Sequence, residues 1–140
     1  MHIWTIKNKN EEKFLRKKTV DFDFSQFKAK ELKNIIKEMR GLMKKTRGIG
    51  LSANQVGLNM NFFIAQVENK FYIIFNPKIT KTDPENTELE EGCLSVPETY
   101  GLIKRSFKIT LEGQDISGKK IKIKAWGLLA QAFQHEVGHL

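Results

Sequence analysis

Apolar positions recur in two rhythms along this chain, one of a helix and one of a strand. Leu32, Ile35, Ile36, Met39, Leu42 and Met43 follow helical spacing with lysines between them. They predict a helix capped at Ser25 and running to about Thr46, where Gly48 and Gly50 stop it. Phe62–Val67 and Phe71–Asn76 are rich in aromatic and β-branched residues around Glu68-Asn69-Lys70, which predicts a hairpin. Phe107, Ile109 and Leu111, then Ile121 and Ile123, alternate with polar residues on either side of Gly113–Gly118, a second hairpin. After Trp126-Gly127, the residues Leu128, Leu129, Ala132, Phe133 and Val137 return to a helical stripe. Residues 1–24 read as an irregular arm with a short helical turn within Glu11–Lys18. The order helix, strands, helix predicts an α+β fold, a mostly antiparallel sheet packed with two main helices.

Composition narrows this picture. At 140 residues, 40% hydrophobic and 29% charged, the chain is expected to form one globular domain over 1–140. The uncharged stretch Ile49 to Val67 carries three Asn, two Gln and a Ser, so no membrane span is expected. Met1-His2-Ile3-Trp4 lacks the basic start and apolar core of a secretory signal. The single cysteine, Cys93, excludes an internal disulfide framework and fits a reducing cytoplasm. Alone it reads as a buried filler, a nucleophile or a metal ligand.

The net charge of +8 is unevenly placed. Up to Gly48 there are 14 Lys or Arg against 6 acids; from Ile49 onward there are 10 against 10. Most of the bases are lysine, whereas recognition surfaces favour the planar fork of arginine. The basic first third is a solvated face first and a contact for a polyanion such as ribosomal RNA second, and nothing points to DNA specificity.

The last helix carries His135-Glu136-Val137-Gly138-His139. Residues four apart share a helical face, so both imidazoles can address one metal ion while Glu136 works on water beside it. Two exposed helical histidines are the bland alternative, and the apolar stripe around them argues against it. Two ligands need a third, which must come from upstream: His2 in the arm, or Cys93 in Glu91-Gly92-Cys93-Leu94-Ser95. A third segment, Gly48-Ile49-Gly50-Leu51-Ser52-Ala53-Asn54-Gln55, has glycines that let backbone approach a bound substrate closely, although by itself it is an ordinary helix stop and loop.

Taken together, Gly-Ile-Gly-Leu-Ser-Ala-Asn-Gln at 48–55, Glu-Gly-Cys-Leu-Ser at 91–95 and Gln-His-Glu-Val-Gly-His at 134–139 resemble the three signature blocks of peptide deformylases in order and spacing. The resemblance covers about residues 40 to 140. It implies a metal-dependent hydrolase that removes the N-formyl group from the N-terminal methionine of nascent polypeptides. By resemblance Cys93, His135 and His139 bind one divalent metal, Fe²⁺ natively, with Zn²⁺ or Ni²⁺ able to occupy the site. Glu136 is then the proton carrier, and the Leu94 backbone N–H and the Gln55 amide hold the developing oxyanion. Gly50 and Gly92 would line the peptide groove, with Ile49, Leu128, Gln131 and Ala132 around the methionine side chain. The implied location is the cytoplasm, or the host cytoplasm for a viral member, with ribosome contact through the basic first third. The alternative is a deformylase-like module that has lost turnover and binds peptides or ribosomes.

Three departures accompany the resemblance. Ser52 stands where the family commonly has Ala, a small-for-small change. Most members continue well past the third block, whereas this chain ends at Leu140, as some short and phage-encoded members do. Gly138 replaces an Asp that ordinarily pairs with an arginine, here Arg105. That replacement leaves Arg105 to the Leu140 carboxylate or to solvent.

Overall fold

A computed structural model describes residues 1–84, 86–93 and 95–140, of which 86–90, 92, 93 and 96–102 are described by their backbone alone. Three α-helices accompany a five-stranded antiparallel sheet ordered β1-β2-β3-β6-β7, and β4 pairs with β5 as a separate ribbon. The helices are α1 (Lys9–Leu15), α2 (Ala29–Lys45) and α3 (Gly127–His139). The strands are β1 (Gly50–Ser52), β2 (Phe62–Val67), β3 (Lys70–Thr82), β4 (Asn86–Cys93), β5 (Val96–Ser106), β6 (Lys108–Gln114) and β7 (Lys120–Trp126). No helix among the described residues is long and apolar enough to cross a membrane.

Both expected hairpins form. Glu68 and Asn69 take positive φ angles of 53° and 64°, the two-residue turn whose twist matches its strands. It fixes a register from Val67↔Lys70 to Phe62↔Phe75. In the β6–β7 turn, Asp115 Oδ1 accepts from the Ser117 and Lys119 amides and from the Ser117 hydroxyl.

The strand sequences differ because their faces differ. In β2, Phe-Phe-Ile-Ala-Gln-Val is buried on both faces and so shows no alternation. On one face Phe62, Ile64 and Phe75 pack with Leu51, Phe22 and the α2 residues Leu32, Ile36, Met39 and Met43. On the other, Phe63, Ala65, Ile74, Ile109, Leu111 and Ala125 pack with Ala130 and Phe133 of α3. The second face decides where the site lies, because it presses α3 against β1 and β2.

Two expected elements begin elsewhere. Ser25 does not cap α2; it sits in a 3₁₀ turn, Phe24–Gln26, where Asp23 Oδ1 accepts from the Ser25 amide at 2.9 Å. The helix starts only at Ala29, because Phe22, Phe24 and Phe27 cluster first: Phe22 stacks on Phe27 at 5.1 Å and meets Phe75 at 4.7 Å. The arm's helical turn begins earlier than expected, at Lys9, because Asn8 caps it by accepting from the Asn10 and Glu11 amides. Asn76 at φ 47° breaks the β3 ladder. Its amide both donates to and accepts from the Phe22 backbone, tying the arm to the sheet.

Candidate metal-dependent active site

The site is assembled from α3, β1 with the turn after it, and the end of β4. Gly127 starts α3 at φ 62° and donates to the Phe107 carbonyl, which sets the direction of the helix. Packing of Phe133 on Phe63 and Tyr72 fixes its rotation. His135, Glu136 and His139 then project toward the sheet edge.

Glu136 is 4% exposed and lies against the β1 backbone. A Cβ at Gly50 would stand 2.5 Å from Glu136 Oε2, so only glycine leaves the carboxyl this place. Burial pushes the Glu136 carboxyl up to about 8, the Ser52 hydrogen bond opposes this, and the Glu91 charge adds to it. Ser52 Oγ lies 3.1 Å from Glu136 Oε1 and 2.9 Å from Gln55 Oε1. One hydroxyl proton cannot serve both acceptors. The Ser52 hydroxyl therefore donates to Glu136 or to Gln55 at any moment, and its bond to Glu136 favours the ionised carboxylate. The Ser52 amide also donates to Gln55 Oε1 at 3.0 Å, and Gln55 Nε2 donates to Ser95 Oγ at 3.1 Å. Gln55 is therefore held with its carbonyl toward Ser52 and its NH₂ toward the β4–β5 connection.

Glu91, at the end of β4, organises the other side. It accepts from Arg105 Nε at 2.9 Å and Nη2 at 2.8 Å, and from Gln131 Nε2 at 3.3 Å. Its Oε1 is also 2.8 Å from His135 Nδ1. Burial raises the Glu91 carboxyl, but the hydrogen bonds from Arg105 and His135, the Arg105 charge and the Gln131 bond outweigh it and hold it at about 2. An ionised Glu91 makes His135 Nδ1 a donor and so turns Nε2 toward His139. Burial first, then the His135 and Arg105 charges, lower His139 to about 4, so its ring is neutral at pH 7.

These facts test the fit of a metal. The two Nε2 atoms stand 3.1 Å apart. Two nitrogens about 2.0–2.1 Å from one tetrahedral ion would be about 3.3 Å apart. Two imidazoles aimed at one point, one of them oriented by a carboxylate, suit a divalent cation. Among the described residues no group of three His, Cys, Asp or Glu side chains is placed to hold one. His2, 3.8 Å from Glu11 in the arm, belongs to no such group among the described residues. The backbone of Cys93 pairs with Val96 at the end of β4, and the backbone of Gly92 pairs with Tyr100. The Cys93 side chain and Leu94 lie outside the described residues.

The family model for polypeptide deformylase matches residues 3–140. The chain belongs to the polypeptide deformylase family.

Family membership implies a divalent metal, in keeping with the two aligned imidazoles. The fold agrees: the crystal structure of peptide deformylase from Thermotoga maritima superposes with a TM-score of 0.88 at 35% identity, covering 99% of this chain and 90% of that one. A probable peptide deformylase from Synechococcus phage S-SSM7 gives 0.86 at 35% identity, covering 100% and 93%. The peptide deformylase of Chloroflexus aggregans is 49% identical over 70 residues, 49% of this chain and 37% of the relative. That of Halothermothrix orenii is 46% identical over 67 residues, 48% of this chain and 43% of the relative. These matches span less than half the length of the curated relatives.

Set against this deformylase scaffold, the remaining expected site residues are distributed as follows. Ile49 and Leu128 are open to solvent, at 43% and 49% exposure, while Ala132 is buried. Gln131 is half-buried, with its NH₂ given to Glu91. Arg105 takes neither the Leu140 carboxylate nor solvent; Glu91 binds it bidentately, so loss of the usual Asp at Gly138 leaves no orphaned guanidinium. The Leu140 carbonyl instead accepts from the Thr19 amide at 3.1 Å. Sequence reasoning missed Ser52, Glu91 and Ser95 as members of the site. For Glu91 a signal existed: a carboxylate two residues before a candidate ligand is a ready partner for a ligand imidazole.

Proposed function

We propose that this protein is a peptide deformylase that hydrolyses the N-formyl group of formyl-methionine at the start of nascent polypeptides. The observation that carries this reading is the buried Glu136, set between Gly50 and Ser52 beside the paired imidazoles of His135 and His139. Cys93, His135 and His139 would hold one divalent metal. Support for Cys93 comes from its block and from Glu91, two residues earlier on β4, which touches His135. Fe²⁺ is the proposed native ion, because a thiolate beside two imidazoles suits a soft, redox-active metal, with Zn²⁺ or Ni²⁺ as substitutes. When bound, the metal lowers the pKa of water enough to supply a nucleophile at neutral pH.

The chain's own groups account for the rest. In its ionised form Glu136 would take a proton as the nucleophile attacks and give it to the departing amine, a task suited to a buried carboxyl raised toward neutrality. The Gln55 NH₂ and the Leu94 backbone N–H bind the oxygen on which charge develops. β1 is an edge strand, so its free side can pair with an extended peptide along Gly50, with Gly92 across the groove. Ile49, Leu128, Gln131 and Ala132 would receive the methionine side chain. The protein would act in the cytoplasm, and its basic first third would draw it toward the RNA-rich surroundings of nascent chains.

The test is metal analysis and amine release from formyl-Met peptides with anaerobically purified protein. Metal near one per chain with turnover, lost by about 10²–10⁴-fold in a folded, metal-loaded Glu136→Gln variant, is expected. Folded protein that takes up no metal would overturn the reading.

A further inference from the structure

The zero net charge of the chain after Ile49 conceals a segregation that only the sheet reveals. On the face turned away from α3, β6 and β7 contribute nothing to the core under α2. Along β7, Ile121, Ile123 and Ala125 point to the α3 core, while Lys120, Lys122, Lys124 and Trp126 are exposed on the opposite side. The register continues this outward face across two more strands. Trp126 pairs with Lys108, Lys124 with Thr110 and Lys122 with Glu112 on β6; Thr110 and Glu112 pair in turn with Lys81 and Lys78 on β3. Six exposed lysines thus share one face with two acids among the described residues, Glu112 and, beside Lys108, Asp83, whose amide donates to the Lys108 carbonyl.

None of the six lies within 4.0 Å of a carboxylate among the described residues. Alternate residues on a strand are about 6.8 Å apart and neighbouring strands about 4.8 Å. Successive lysines of β7 therefore sit within a Debye length of each other, about 8 Å at physiological salt, and repel, with the lysines of β6 and β3 one to two strand spacings away. Trp126, 65% exposed, closes the row on β7.

We propose that this face binds single-stranded RNA, with the lysine rows along the phosphates and Trp126 stacked on a base. Charge complementarity selects a polyanion, and rows of ammonium groups along extended strands suit a linear one. An exposed indole at the end of such a row is the stacking platform that single-strand binders use. A bilayer would ask for several apolar groups to insert, and Trp126 is the one large apolar side chain in the set. The inference does not rest on deformylation, because RNA binding is measured without a formyl-peptide.

The experiment is a fluorescence-anisotropy titration of a labelled oligouridylate of about 12 nucleotides with the whole protein, between about 50 and 200 mM salt. One variant carries Lys120→Glu, Lys122→Glu and Lys124→Glu. A control of equal charge change carries Lys30→Glu, Lys33→Glu and Lys37→Glu on the exposed side of α2. The β7 variant should bind about tenfold or more weakly than the control and show a shallower salt dependence. Trp126→Ala should lose about fivefold with the salt slope unchanged. Thermal melts and formyl-peptide hydrolysis at wild-type rate show that the β7 variant is folded. Equal losses in the two triple variants would mean attraction by net charge alone and overturn the proposal. So would an unaltered affinity in Trp126→Ala, or tighter binding to anionic vesicles or polyglutamate than to the oligonucleotide.

Discussion

Glu136 shows how a residue's burial fixes both a function and a cost. Its ordinary carboxyl value of 4.5 becomes about 8 in the fold, so the folded state holds a proton that the unfolded chain releases. The stability this lends is complete below about pH 4.5 and is lost as pH rises through 8. Metal-free Glu136→Gln should therefore melt above the wild type at pH 8 and beyond, and close to it near pH 4.5, as calorimetry across pH would show. The same variant should be inactive. Ser52→Ala removes the hydroxyl between Glu136 and Gln55 but leaves the Ser52 amide bond to Gln55. It should cost about 1 kcal/mol in stability and lower kcat a few-fold with KM nearly unchanged, measured by steady-state kinetics and melting. The imidazole pair and Glu136 were legible because a helix places residues four apart on one face. Ser52 and Glu91 were not, since their partners lie 84 and 44 positions away in the sequence.

Among the elements, α3 is held at its last turn by unusual means. The Asn54 NH₂ donates to the His139 carbonyl at 2.5 Å, and the Thr19 amide donates to that of Leu140. Gly138 within that turn weakens the helix, costing about 1 kcal/mol relative to alanine. A metal on His135 and His139 would pin the turn, so chelation should lower Tm and speed amide hydrogen exchange at residues 136–140. An unchanged melt and exchange pattern after proven metal removal would count against a shared ion. Helical and strand rhythm revealed α2, α3 and both hairpins of the main sheet. It missed the start of α2, where an aromatic cluster overrides the Ser25 signal. It also missed β4, whose Thr-Glu-Leu-Glu-Glu run has weak strand propensity and becomes a strand through pairing with β5.

At the scale of the molecule, the amino-terminal arm straps the site together. The Trp4 amide donates to the Gln55 carbonyl at 2.7 Å, and the Ile6 amide to that of Ser95 at 3.0 Å. The Trp4 ring packs on Phe14 and against Gly57, which at φ 83° has no room for a side chain. Trp4→Ala should cost about 2–3 kcal/mol and reduce kcat through looser Gln55 and Ser95, although no arm residue is expected to touch substrate. The deformylase blocks made the family legible in the sequence, yet the arm's hold on two of those segments was invisible there, because it runs through backbone groups that any residue possesses.

The position of α3 also governs the order in which the protein can be made. Residues 1–126 leave the ribosome first and contain every strand of the main sheet. Until residues 127–139 follow, the face bearing Phe63, Ile74, Ile109, Leu111 and Ala125 has no Phe133 or Ala130 to cover it. A newborn chain at that stage offers a wet apolar sheet, the kind of surface that chaperones shield and that otherwise aggregates. Docking of α3 ends that hazard and, in the same event, brings His135 and His139 to the site, so any metal that the two imidazoles hold would bind only after α3 has docked.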